Sequence, residues 1–143
     1  MMELPSILYA EDNGNDVELT LAAFEQCKLQ NRIDVVRDGQ QVLDYLKYEG
    51  EFKNRKKDKP VVILLDIKMP KLDGIQVLKI IKSDSELKTI PVVMLTSSSM
   101  ETDLVKSYNL GVNAYVVKPV DFDDFIEVVK KIGSFWGLLN RTI

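Results

Sequence analysis

Glu11-Asp12, Asp66, Thr96-Ser97-Ser98 and Lys118 each stand directly after a short apolar run of the chain. Brought to one place, they supply an acid pair, a lone acid, hydroxyls and an amine. Carboxylates that close repel and raise one another's pKa values, so the set is most simply explained by a divalent cation among them. Oxygen donors of this kind suit Mg²⁺ or Mn²⁺ better than zinc. Mg²⁺ uses one or two carboxylates, several waters and a substrate phosphate. A lysine beside it can pair with a phosphoryl oxygen as a compact charge, and the Thr96 hydroxyl can donate to another. The chemistry this set could perform is phosphoryl transfer to a carboxylate nucleophile, with the metal and Lys118 neutralising charge on the equatorial oxygens. Asp66 is the candidate nucleophile, because it stands alone after a run that is apolar throughout. Asp12 and Glu11 are better placed as metal holders, Asp12 directly and Glu11 through water.

The composition removes rival chemistries. There is no histidine among the 143 residues, which excludes Ser-His and Cys-His nucleophile pairs, histidine zinc sites and a phosphohistidine relay. The single cysteine, Cys27, cannot form an intrachain disulfide, which suits a reducing compartment. A net charge of −3 gives no indication of nucleic acid as a partner. Met1 to Tyr9 does not read as a signal peptide, and no apolar run approaches the roughly 20 residues that span a bilayer. The expectation is a soluble cytoplasmic protein of one domain over residues 1–143, without room for an output domain.

The elements that must position these residues are short. Ser6–Ala10, Ile33–Val36, Val61–Leu65, Val92–Leu95 and Ala114–Val117 are apolar runs, most of them rich in β-branched residues, which predicts five strands. The third and fourth are apolar throughout, as expected of strands covered on both faces in a parallel sheet. Between them lie helical patterns. Asn13–Leu29 carries a stripe of Val17, Leu21, Phe24 and Cys27 or Lys28; Gln40–Tyr48 carries Val42, Leu43 and Leu46; Ile75–Ile81 carries Ile75, Leu78 and Ile81, or Val77 and Ile80 on the flank. Asp73-Gly74 reads as a turn and helix cap. Ser98 to Glu101 is a capping-box pattern opening a helix that stops near Gly111, and Asp121 caps a last helix through Lys131. Strand alternating with helix predicts an α/β sheet covered on both faces, with right-handed crossovers. Ligands of such sheets sit at the carboxyl ends of the strands, where the acids, Thr96 and Lys118 fall. Asp16 is expected to be a first-turn acid favoured by the helix dipole, without a part in metal binding.

Two stretches stand outside this pattern. Glu49–Lys59 is polar and mostly basic and reads as a solvated loop, or as a docking surface for an acidic or phosphate-rich partner. Phe135, Trp136, Leu138 and Leu139 read as a helical extension over about 133–143 that packs on the core or meets a partner.

Taken in order, Glu11-Asp12-Asn13, Leu65 to Pro70, Asp73-Gly74, Leu95-Thr96-Ser97, and Gly111 to Tyr115 running into Lys118-Pro119 resemble the receiver domain of two-component response regulators, over about residues 6–132. The resemblance implies a flavodoxin-like (βα)5 doubly wound fold with strand order 2-1-3-4-5. It implies that Asp66 accepts a phosphoryl group from a sensor histidine kinase or a phosphotransfer protein. It implies Mg²⁺ held by Asp12, Asp66 and the backbone carbonyl of Lys68, with Glu11 assisting. Thr96 and Tyr115 would be the switch pair, changing the face formed by the fourth helix, fifth strand and fifth helix. The basic stretch, Asn13 to Asp16 and Leu95 to Ser99 look like the small stand-alone receivers paired with phytochrome-type kinases, which implies a homodimer through that same face. Such a protein is a regulatory phosphoacceptor, assisting only its own phosphorylation and dephosphorylation. Its downstream protein partner is not named by the sequence.

Rival functions are weaker. A dehalogenase-like phosphatase would carry a second acid two residues after the nucleophile, where this chain has Lys68. No glycine-rich nucleotide-binding motif is present. The alternative is a receiver-like interaction module that works without phosphorylation, against which the intact acceptor, acid pair, Thr96 and Lys118 all argue.

Overall fold

The computed structural model describes residues 4–26 and 29–131. Cys27, Lys28 and the C-terminal aromatic segment expected to extend the last helix lie outside these. Strands alternate with α-helices: β1 (Ile7–Ala10), α1 (Gly14–Gln26), β2 (Ile33–Val36), α2 (Gly39–Lys47), β3 (Val62–Asp66), α3 (Gly74–Ser83), β4 (Val92–Thr96), α4 (Ser99–Ser107), β5 (Ala114–Val117) and α5 (Phe122–Lys131). The strands form one parallel sheet in the order β2-β1-β3-β4-β5, the expected flavodoxin-like order.

Side-chain alternation along the strands splits the interior in two. Leu8, Ala10, Ile63, Leu65, Val92 and Met94 pack under α2, α3 and α4. Ile7, Tyr9, Val62, Leu64, Val93 and Leu95 pack under α1 and α5, where the Phe24 and Phe125 rings meet with centroids 5.1 Å apart. Both faces of the central strands are therefore dry, as their unbroken apolar sequences require.

Local chemistry sets the helix ends. The Asp73 side chain accepts from Gln76 N–H while the Gln76 side chain accepts from Asp73 N–H, a complete capping box. Ser98 caps α4 by accepting from Glu101 N–H at 3.2 Å, but the Glu101 carboxylate accepts from Ser97 N–H at 2.8 Å, one residue short of the expected box. Helix α4 also ends at Ser107 rather than near Gly111, because Asn109 already turns left-handed with φ 52°.

The basic stretch is more than a solvated loop. Gly50–Phe52 forms a 3-10 turn, and Phe52 packs edge-on against Tyr45. The Arg55 guanidinium lies 3.7 Å from the Tyr45 ring centroid and 4.4 Å from that of Tyr48. It donates to the carbonyl oxygens of Tyr45 at 2.8 Å and Asp58 at 2.9 Å. A charge satisfied by carbonyls and ring faces holds the segment to α2.

Gly74 governs the approach of α3 to the end of β3. Its N–H donates to the Ile67 carbonyl at 2.7 Å, and a Cβ on it would lie 2.3 Å from the Asp66 carbonyl oxygen. Gly74→Ala must push the α3 start away from Asp66, and should cost about 1–3 kcal/mol. Urea unfolding that gave an unchanged midpoint would show that this approach is not a constraint.

Candidate functional site

Register brings the strand ends together. Ala10 lies beside Leu65, Asp66 beside Leu95, and Thr96 beside Val117, so Glu11, Asp66, Thr96 and Lys118 fall within a row or two of one another at the carboxyl edge. Alternation then sorts them. Glu11, Asp66 and Lys118 continue the parity of Tyr9, Leu64 and Val116 and turn to the α1/α5 side. Thr96 has the parity of Met94 and turns to the α4 side.

On the first side the charges meet. Lys118 Nζ stands 3.2 Å from Glu11 Oε1, 3.2 Å from Asp66 Oδ1 and 3.2 Å from Asp16 Oδ2. Glu11 is 1% and Asp66 4% exposed. Burial, followed by the hydrogen bond and negative charge of Asp66, pushes the Glu11 carboxyl up to about 7, against the opposing pull of Lys118. Burial pushes the Lys118 amine down, but the charges of Asp66 and Glu11 outweigh it and hold its pKa above the ordinary lysine value. The amine thus stays charged, and burial and the neighbouring carboxylate hold the Glu11 carboxyl well above the usual carboxylate range.

The three expected metal-holding acids do not form one knot. Among the described residues no trio of acids makes a ready ligand cluster. Asp12 follows Glu11 with opposite parity, is exposed, and lines an open cavity of about 460 Å³ with Ile67, Lys68, Met69, Pro70 and Asp73. The donor set still fits a hard divalent cation, which needs one or two carboxylates and completes its shell with water and phosphate.

Thr96 is fully buried, and its hydroxyl lies 2.7 Å from that of Thr102 on α4. Tyr115 is half-buried on the same face of the sheet, packs against the core, and carries Lys106 Nζ 5.3 Å from its ring centroid. Burial raises its phenol. The Lys118–Pro119 peptide is cis, and Lys118 N–H donates to the Thr96 carbonyl at 2.8 Å. Asp16 is in the first turn of α1, as expected, yet it also reaches Lys118. The clue to it in the sequence was its place: a helix that begins just after β1 starts on the same sheet edge as Glu11.

The model of the response regulator receiver domain matches residues 7–130. The chain belongs to the response-regulator receiver family. The receiver is 40% identical over 137 residues to the probable methanogenesis regulatory protein FilR2 of Methanothrix harundinacea, covering 95% of this chain and 86% of that one. It superposes on the bacteriophytochrome response regulator AtBRR with a TM-score of 0.92 at 54% identity, covering 98% of this chain and 100% of that one. The Mn²⁺-bound form of Rcp1, a Synechocystis response regulator, aligns with a TM-score of 0.72 at 37% identity over 97% of this receiver and 96% of that chain. A phosphorylated cyanobacterial phytochrome response regulator, RcpA, aligns with a TM-score of 0.73 at 40% identity over 94% of each.

The raised Glu11 carboxyl has a measurable consequence for the metal-free receiver. Its native pKa, about 7, stands above the 4.5 of an unperturbed glutamate. The native state therefore holds this proton after the unfolded chain has lost it, and Glu11 makes stability fall as pH rises from about 4.5 to 7. Urea unfolding in EDTA across that range should show this fall in the wild type and a flatter profile in Glu11→Gln. Parallel profiles would mean that Glu11 ionises without cost.

Proposed function

We propose that this receiver takes a phosphoryl group on Asp66 from a sensor histidine kinase or a phosphotransfer protein. One observation carries the reading: the buried Asp66 carboxylate lies 3.2 Å from a lysine amine that also holds Glu11. An oxygen of Asp66 forms the new P–O bond as the P–N bond of the donor phosphohistidine breaks. Lys118 can leave its contact with Asp66 Oδ1 for a phosphoryl oxygen without losing Glu11 and Asp16, so its charge is held in place before the reaction. Asp12, Asp66 and the Lys68 backbone carbonyl, with Glu11 assisting, would hold Mg²⁺ or Mn²⁺, which when bound neutralises phosphoryl charge. The Mn²⁺ reported for Rcp1 and the phosphorylation reported for RcpA support this assignment. The names of AtBRR and RcpA favour a phytochrome-type kinase as the donor.

In this reading the chain is a single regulatory domain in the cytoplasm. It acts on its own Asp66 and meets proteins, not nucleic acid or membrane. Among the described residues, no helix is long and apolar enough to cross a bilayer. Thr96 and Tyr115 form the switch, turned to the α4 side where the output surface lies.

That surface is apolar. Met100, Leu104 and Tyr108 follow one another at helical spacing along α4 and its cap, 81%, 51% and 47% exposed, and Val117 is 50% exposed on β5, which packs against α4. Helix α4, β5 and α5 together form the homodimer face. Leu104→Glu should turn a dimer into a monomer on size exclusion without altering the circular dichroism; an unchanged elution volume would remove α4 from the interface.

The phosphoacceptor reading is tested by intact mass. With Mg²⁺ and acetyl phosphate the wild type should gain one phosphoryl group, while Asp66→Asn, or the wild type in EDTA, should gain none. Lys118→Met should slow the gain about a hundredfold. A wild type that stays unmodified beside a working control receiver would instead favour an interaction module independent of phosphorylation.

A further inference from the structure

The hydroxyl pair Thr96–Thr102 has a direction that proton counting decides. A threonine hydroxyl has one proton to give. The Thr102 hydroxyl lies 3.1 Å from the Ser98 carbonyl, one turn back on α4, and that oxygen can only accept. Thr102 therefore donates to Ser98, and at 2.7 Å Thr96 donates to Thr102. The one proton that Thr96 could offer a phosphoryl oxygen is committed to α4. Thr96 is fully buried, so no water can take over as acceptor without rearrangement. Its strand parity explains the arrangement, since it turns away from Lys118 and Asp66 toward the helix that follows it.

We propose that Thr102 is a positioning residue for Thr96: its hydroxyl oxygen holds the Thr96 hydroxyl against α4 in the resting receiver and must be given up when Thr96 bonds a phosphoryl group. This rests on the reading of Thr96 as a phosphoryl donor. The bond biases the receiver toward its resting state, because only in that state is it made. A phosphoryl oxygen that replaces Thr102 as acceptor compensates Thr96. Thr102 keeps its bond to Ser98 and, being only half-buried, turns its freed lone pair to water. The contact lies between the end of β4 and the first turns of α4. Its release therefore reaches the start of the helix that carries Met100, Leu104 and Tyr108.

Thr102→Val keeps the shape of the side chain and removes the acceptor, leaving the buried Thr96 hydroxyl unpaired in the resting state. The experiment is calorimetric titration of the full chain with beryllofluoride and Mg²⁺, a non-covalent stand-in for the phosphoryl group. Scalar couplings at Thr96 report its side-chain rotamer. Thr102→Val should bind beryllofluoride about fivefold more tightly, with the Thr96 couplings averaged before ligand is added. Thr102→Ser, which restores the acceptor, should behave as the wild type. Thr96→Ala should bind more weakly, and adding Thr102→Val to it should change nothing further, since the effect passes through Thr96. Wild-type affinity in Thr102→Val, with Thr96→Ala still weakened, would overturn the latch and leave the switch assignment standing. The same gain in the Thr96→Ala background would also overturn it, because Thr102 would then act through α4 alone. Wild-type affinity in Thr96→Ala would remove Thr96 as a phosphoryl donor, and the latch with it. Thr102→Ala removes the same acceptor should the valine variant not fold.

Discussion

The arrangement of the sheet edge depends on one cation, mostly withdrawn from water, between two acids. Glu11 and Asp66 are almost wholly withdrawn from water and are held by the same Lys118 amine. Two carboxylates in that position are tolerable only if one keeps its proton or a positive charge stands between them. Lys118 supplies that charge from β5, two strands away from β3 and three from β1 in the sheet order. Buried ion pairs are poor evidence for stability but good evidence for positioning. Here the amine fixes the distance between the strand ends, and by holding Asp16 it ties the start of α1 to the same point. On the proposed function, a phosphoryl group on Asp66 would arrive next to a charge already withdrawn from water and oriented. This is the condition under which electrostatic stabilisation requires no reorganisation.

Strand alternation divides the labour of the site. Odd and even positions of neighbouring strands place Glu11, Asp66 and Lys118 on the α1/α5 side, and Thr96 and Tyr115 on the side of α4. The charged cluster and the pair Thr96 and Tyr115 thus share a few residues of backbone but face opposite layers. The carbonyl of Thr96 accepts from Lys118 N–H while its hydroxyl bonds α4, so one residue joins the strand end beside Lys118 to the helix that carries the exposed apolar stripe. The split also explains why Asp12 stands apart from Glu11: adjacent residues of an extended chain cannot face the same way.

The opposite edge of the sheet is built on different chemistry. There the basic stretch is folded onto α2 by Arg55, whose charge is met by the carbonyls of Tyr45, Lys56 and Asp58 and by two tyrosine rings. Lys53, Lys56, Lys57 and Lys59 remain exposed around it. A chain of net charge −3 therefore carries Glu11, Asp12 and Asp66 at one sheet edge and a basic segment before β3, away from them.

Much of this was legible in the residues themselves. The runs Ile33–Val36 and Ala114–Val117 are strands with the bounds the hydrophobic pattern implied, because β-branched apolar residues between turn signals leave few other choices. Asp73-Gly74 and Ser98 mark helix starts because capping is chemistry between near neighbours. The order of acids, hydroxyl and lysine at strand ends was enough to identify the family and the acceptor candidate. Tertiary structure decided what depends on residues far apart. The contact of Lys118 with Glu11 spans 107 positions, and Asp16 joins it only because α1 begins on the same edge. The pairing of Thr96 with Thr102, the parting of Asp12 from Glu11, and the stacking of Arg55 on two tyrosines follow from strand parity and packing. Composition and spacing determine which groups reach the edge of the sheet; the register and the two packed faces decide which of them touch.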